Sequence, residues 1–561
     1  MPASSNGTSP GVRNRLLRGY GPVAAIAALV VIVALAVPSK VPSKASVISS
    51  GAGTSGAQAT QNGGGAIGST SAATTPTGAS GAPASGGASG SAGQAGSAGS
   101  TVNTPGKVLP CNGRADQLPG DPYSPPCETF SGSTGGATAT GVTPTAINIA
   151  VRLTTDQSFQ NTLAQLAGAQ LRDTNADNQR SLQAEIDYFN ARFQFYGRKL
   201  VPHFFTGQGS LANELQGYGQ AAAEADAQTA KSMSVFADLT AESEPYATAL
   251  WRDGVMGFGD PYMPNFWHQQ HAPYDWSVAT DGTKVATAAA NYAVSKLCPT
   301  GAPAVYAGGG LKNAPRKFAG IAPENELYKV SASVFSQVMG QHSCSPGQFY
   351  YQLDLGTESQ QAANLVAQMK AGGYTTIICG CDPIFPVYLS GQAAQQGYFP
   401  EFIDIGTALT DQDYVGQLYN QSFMTHALGI SPNAPTVPYT QTIGYAAYKT
   451  QRPDEPSFFV NLIYLQLDML AIGTQMAGPH LTPASFQQGM FNFPAKVGPA
   501  GNWGWNSSQY TTPNDVREIC WSTGTVSPYN GKAGAFLGTS NQRWSVDQIP
   551  TGKPGCAIPS S

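Results

Sequence analysis

Charge is scarce in this chain. Asp, Glu, Lys and Arg make up 11% of its 561 residues, against about 25% in an ordinary soluble domain. The 29 basic residues are outnumbered by 33 acidic ones and nowhere form a stripe, so the electrostatic footprint of a nucleic-acid binder is missing. Catalytic signatures are missing too. There is no G-x-S-x-G elbow, no H-E-x-x-H pair and no G-x-x-x-x-G-K phosphate loop, the spacings that build a nucleophile, a zinc site or a phosphate cradle. No carboxylate pair stands out for glycoside hydrolysis. Histidine is sparse: His268 and His271 lie three apart with Asp260 nearby, but on an extended chain that offset points them to opposite faces. No enzyme activity, metal or cofactor is expected.

Residues 46–106 contain no aromatic and no acidic residue, being almost entirely Gly, Ser, Ala, Thr, Asn and Gln. Such a stretch cannot bury enough apolar surface to offset its ordering entropy. It is expected to be a disordered linker with a reach of roughly 40–50 Å. Ahead of it, Gly21–Val37 (GPVAAIAALVVIVALAV) carries no charge, and Arg13, Arg15 and Arg18 precede it. As a helix it would span about 26 Å, the short end of a bilayer core, and the basic flank would hold the amino terminus inside. The expectation is a single-pass transmembrane helix in the cell membrane with the folded part extracytoplasmic. Cleavage after Ala34-Leu35-Ala36 would secrete the protein instead.

Eight cysteines follow, on the side where oxidation is allowed. Spacing pairs Cys111 with Cys127, Cys298 with Cys344 and Cys520 with Cys556. Cys379 and Cys381 are left for a bond across Gly380 or for zinc.

The folded part alternates strands and helices. Ala146–Leu153 (AINIAVRL) reads as a strand, and Asn178–Phe193 as a helix with Leu182, Ile186, Phe189 and Phe193 on one face. Strands at 200–205, 234–237 and 255–258 follow, with helices between. The pattern restarts with strands at 317–322, 349–355, 374–380 and 401–405, again separated by helices. Two such units imply two lobes, each a parallel sheet covered on both faces. The apolar run Phe458–Ala477 is interrupted by Asn461, Gln466 and Asp468, and so reads as a buried helix rather than a membrane span.

Several stretches together resemble one family. The lead-in Gly141-Val142-Thr143-Pro144-Thr145, the helix end Ala184–Asn190 with Gly197-Arg198-Lys199-Leu200, the strand Arg316–Asn325 and the helix Leu365–Ala371 are similar in order and spacing to type I periplasmic binding proteins. The branch is that of branched-chain amino acid, amide and urea ABC transporters, of actinobacterial type. The loop Arg152–Gln157 and the turn Arg192–Tyr196 depart from that family's pattern. The resemblance implies two doubly wound lobes joined by three hinge crossings, near 266–273, 423–431 and 516–521, with the ligand in the cleft between lobes. The chain then divides into a cytoplasmic 1–20, an anchor 21–37, a linker 38–110 and a cysteine-bracketed lead-in 111–144. The first lobe takes 145–267 and 432–500, the second 274–408, and the last crossing and tail 501–561.

Strand ends name the candidate ligand residues. Thr154, Thr240, Glu242, Ser243, Asp260 and Tyr262 belong to the first lobe, Asp382 and Thr407 to the second. Hydroxyls and helix-terminal amides suit a ligand carboxylate, and an acid suits an ammonium; Tyr262 and Trp267 would supply an apolar wall. Each is also an ordinary cap, turn or core residue by type. The expected function is a membrane-tethered solute-binding protein, monomeric, that captures an amino acid or amide-like molecule for an ABC permease. An extracellular sensing domain working with a partner is the alternative, and a secreted hydrolase the third reading.

Overall fold

The computed structural model describes residue 108 and residues 111–559, apart from 157, 168–172, 260–261 and 299–301. Two sheets organise them. The first runs in the order β2-β1-β3-β4-β5, all parallel, from β1 (Ala146–Leu153), β2 (Lys199–Thr206), β3 (Ala237–Asp238), β4 (Met256–Phe258) and β5 (Asp275–Trp276). Helices Asn175–Asn190, Val460–Ala477 and Pro483–Asn492 bury one face, with Ile186, Phe189, Leu470 and Phe486 in the core. Helices Gln220–Ser232, Glu244–Arg252 and Asn265–His271 bury the other, through Ala227, Leu250 and Trp267.

The second sheet carries β6 (Phe318–Pro323), β7 (Gly347–Tyr351), β8 (Thr376–Cys379), β9 (Glu401–Asp404) and β10 (Ala427–Ser431) as neighbours in the parallel order β10-β9-β8-β6-β7. A separate hairpin, β11 (Lys496–Gly498) and β12 (Gly501–Trp503), sits near the end of the first lobe. The second sheet is then extended antiparallel by β13 (Asp515–Val526), which pairs with β10, β14 (Ala533–Gly538) and β15 (Trp544–Ser545). Helices Gly282–Tyr292 and Glu326–Gln341 cover one face and Glu358–Ala371 and Phe385–Gln395 the other. In Glu358–Ala371 the stripe Ala362, Leu365, Val366 and Met369 is buried.

The two-lobed α/β arrangement is present, but its boundaries shift. The stretch 266–273 is largely the helix Asn265–His271, not a crossing, and the chain leaves the first lobe at 277–281, after β5. The return runs through 432–442, after β10, and the last crossing is 511–514, before β13. Residues 515–545 are sheet strands of the second lobe rather than tail, so that sheet is mixed and not purely parallel. The first and last crossings lie side by side: Thr280 donates to the Pro513 carbonyl at 2.8 Å and the Asp281 amide to Thr511 at 3.2 Å. Arg517 and Arg543 both donate to the Asn433 carbonyl, at 3.0 and 3.2 Å, and so fix the start of the middle crossing.

Disulfides join Cys111 to Cys127, Cys298 to Cys344, Cys379 to Cys381 and Cys520 to Cys556. Among the described residues no helix is long and apolar enough to cross a membrane. The expected transmembrane helix Gly21–Val37 and the linker, Val108 apart, lie outside the described residues. No described element supports a single-pass membrane topology or a membrane tether.

Candidate functional site

Parallel strands present their carboxyl ends on one edge, and here both sheets turn that edge toward a common cavity of about 1050 Å³. Leu153 ends and Leu239 and Gly259 follow strands of the first lobe; Pro323, Cys381 and Ile405 end or follow strands of the second. Its size is that of a site for a drug-sized ligand or larger.

The floor on the first lobe is an ion network. Arg152 grips Glu214 with both terminal nitrogens, at 2.8 and 2.9 Å, reaches Asp226 at 3.4 Å and lies over the Tyr246 ring at 3.7 Å. Burial works against its charge, but the Glu214 bonds outweigh it and the guanidinium stays protonated. Ser243 donates to the same Glu214 carboxylate. Thr240 donates to Asp238 at 2.6 Å and accepts the Arg152 amide at 2.9 Å. The hydroxyls of Thr240 and Ser243 line the cavity but already donate to protein carboxylates, so a ligand carboxylate would have to compete for them.

The other candidates divide by what they touch. Thr154 lines the cavity and accepts the Asp156 amide at 3.1 Å. Asp382 caps the helix Phe385–Gln395 by accepting from the Ile384 amide at 2.7 Å and the Phe385 amide at 3.1 Å, and it takes the Tyr351 hydroxyl at 2.6 Å. Thr407 donates to the Cys381 carbonyl at 3.0 Å. Glu242 differs from these: its carboxylate is reachable from the cavity and bonds to no described residue. The surrounding protein still pushes its pKa up, against the pull of Arg152. Asp260 lies outside the described residues. Trp267 is no cleft wall; it is buried in the first lobe, stacked on His271 at 3.9 Å, while His268 pairs with Asp275.

Tyr262 bridges the lobes. Its oxygen accepts the Ala408 amide of the second lobe at 2.5 Å. Burial raises the phenol's pKa, so it keeps its proton and can still donate. Close by, the Gly282 amide donates to the Met263 carbonyl at 3.0 Å, seating the Tyr262 loop on the first turn of the helix Gly282–Tyr292.

Three features escaped sequence reasoning. Arg152 is one, though a lone arginine closing an apolar strand is a visible signal of a buried pair. An aromatic quartet is the second. Tyr414 meets Phe458 at 5.0 Å and Tyr529 at 5.1 Å, with Tyr439 stacked over Phe458 at 6.4 Å, and all four line the cavity. The third is the lead-in: Gly120–Tyr123 forms part of the wall, with Tyr123 stacked on Trp503 at 4.1 Å.

No protein-family model matches the sequence, and no curated protein matches it. Solved structures do match in fold. A fatty acid ABC transporter substrate-binding protein from Thermomonospora curvata aligns with TM-score 0.51 at 13% identity, over 76% of this chain and all of that one. A solute-binding protein of an ABC transporter from R. palustris, in complex with 4-hydroxybenzoate, gives 0.50 at 11%, over 71% and 97%. A leucine-, isoleucine-, valine-, threonine- and alanine-binding protein from Brucella ovis, in a closed conformation, gives 0.50 at 13%, over 74% and 100%. All three are described as binding proteins rather than enzymes, and at these identities the likeness speaks for fold and not for ligand. This chain therefore has the two-lobed α/β fold of the type I solute-binding proteins of ABC transporters.

Proposed function

We propose that this chain captures a small molecule between its lobes and presents the closed form to a partner. The observation that carries the reading is the cavity itself, built from the carboxyl edges of both sheets and spanned by the Tyr262–Ala408 hydrogen bond. A cleft so built couples ligand contact to lobe closure, because only the closed form lets both walls touch the same molecule. The R. palustris and Thermomonospora curvata proteins of this fold are named as the binding proteins of ABC transporters. A sensing partner uses the same geometry, and the ligand-dependent step is common to both.

Amino-acid or amide specificity, as expected from the sequence, stands as one option for the ligand. Against it stand the prior commitments of the Thr240 and Ser243 hydroxyls and the aromatic walls. A thermal-shift screen of the full chain over amino acids, amides, urea and aromatic acids tests the reading. A ligand at 100 times its Kd should stabilise the protein by about 2.7 kcal/mol. No shift with any small molecule, polar or apolar, overturns it.

A further inference from the structure

The charge of the cavity is one-sided. Among its described lining residues the acids are Asp121, Asp173, Glu214, Glu242, Glu244 and Asp382, and Arg152 is the sole base. Arg152 is already neutralised by Glu214. Most of the remaining acids are spent inside the protein. Tyr464 donates to Asp121 at 2.8 Å, the Phe458 amide to Asp173 at 2.6 Å and Thr248 to Glu244 at 2.8 Å, while Asp382 caps a helix. Glu242 alone has no such bond to a described residue. A ligand anion entering here meets uncompensated negative charge and finds no unspent cation among the described lining residues; a ligand cation finds Glu242.

The cavity, at about 1050 Å³, is also larger than a small polar solute needs. On the second lobe it runs beneath the helices Gly282–Tyr292 and Glu326–Gln341, where Val285, Ala286, Ala322, Ala332, Phe335 and Ile378 line it and are all buried. The small side chains on the facing helices leave the room, and the surface is apolar. Among the described residues nothing charged is on that wall. Its polar points are Ser331, whose hydroxyl is buried without a partner among the described residues, and Gln348, which already donates to Ser336.

We infer that the ligand is a cationic amphiphile, an amine or similar basic nitrogen on an extended apolar body, with its charge at Glu242 and its apolar part in the channel under the second lobe's helices. The inference rests on the binding reading above and narrows it to a chemical class. The raised pKa of Glu242 agrees: an ammonium beside it relieves the cost of holding a carboxylate among protein walls.

Titration of the full chain with decylamine, 1-decanol and decanoate, each below its micelle-forming concentration, tests this. Decylamine should bind most tightly and decanoate least. From butylamine to decylamine the affinity should rise by up to about fourfold per methylene buried. Glu242→Gln should cost decylamine at least tenfold and leave decanol unchanged. Ala286→Phe should weaken decylamine and spare butylamine; Ala332→Leu is the gentler form of that block, and a melting curve of each variant checks that it folds. Decanoate binding as tightly as decylamine, or a flat chain-length series, overturns the inference. If leucine or 4-hydroxybenzoate then shifts the melting temperature while decylamine does not, the binding reading survives and this one does not.

Discussion

The Tyr262 phenolic oxygen and the Ala408 backbone amide, 146 residues apart in the chain, share a 2.5 Å hydrogen bond between the lobes. Ala408 has φ 48° and its neighbour Leu409 φ 66°, a left-handed pair without glycine. That conformation is unfavourable for side-chain-bearing residues, so the loop is held by what it touches. Tyr262→Phe removes this acceptor, whose bond to Ala408 exists only while the two lobes are in contact. Apparent ligand affinity should fall about fivefold, the worth of one hydrogen bond near 1 kcal/mol, with little change in the melting temperature of the empty protein. Isothermal titration and a melting curve together check it.

Gly282 has no room for a side chain. A Cβ there would sit 2.5 Å from the Tyr262 carbonyl oxygen and 2.7 Å from the Ser331 hydroxyl. Gly282→Ala should push the Tyr262 loop off the second lobe and destabilise the protein by about 1–3 kcal/mol. Urea denaturation measures the loss.

Arg152 and Glu214 are a buried pair, their side chains 7% and 0% exposed. Replacing one partner strands the other's charge. Arg152→Met should therefore cost about 3–5 kcal/mol, and the added change Glu214→Leu should restore part of it. A double-mutant cycle by urea denaturation reads the coupling.

Three buried carboxyls set a pH dependence. Burial pushes Glu185 up to about 9, burial with the nearby Asp382 charge pushes Glu358 up to about 9, and burial with the Asp411 charge pushes Asp404 up to about 7. Unfolded, such groups titrate near pH 4, so the folded state holds protons the unfolded state has released. Their stabilisation is complete below about pH 4 and is lost as pH rises, through about 7 for Asp404 and about 9 for the two glutamates. The Tm should fall from pH 5 to pH 9. Glu185→Gln should remove up to about 1.4 kcal/mol per pH unit of that slope.

Much of the fold could be read from local pattern. Strand β1 spans Ala146–Leu153 as its alternation indicates, and the buried stripe of Glu358–Ala371 lies where its spacing puts it. Pairing between distant segments could not be read. Strand β5 is two residues long, too short to show a period, so local pattern puts the first crossing on the helix before it. Strand β13 pairs antiparallel with β10, Ser431 opposite Arg517, and a sequence cannot announce a partner so far along the chain. The site divides the same way. Strand ends led to the loops of Thr240, Tyr262, Asp382 and Thr407, because parallel sheets gather their carboxyl edges. Which hydroxyls were already spent on Asp238 and Glu214, and which rings from 414, 439, 458 and 529 would meet, depends on tertiary neighbours that local pattern does not encode.

The central claim is that one ligand touches both lobes at once. Hydrogen–deuterium exchange on the full chain, with and without the compound giving the largest thermal shift, tests it most directly. The account predicts joint protection at 240–244 and 262–263 of the first lobe and at 382–385 and 407–409 of the second. Protection confined to one lobe, or falling on the outer helices and sparing the Tyr262–Ala408 bridge, would contradict it.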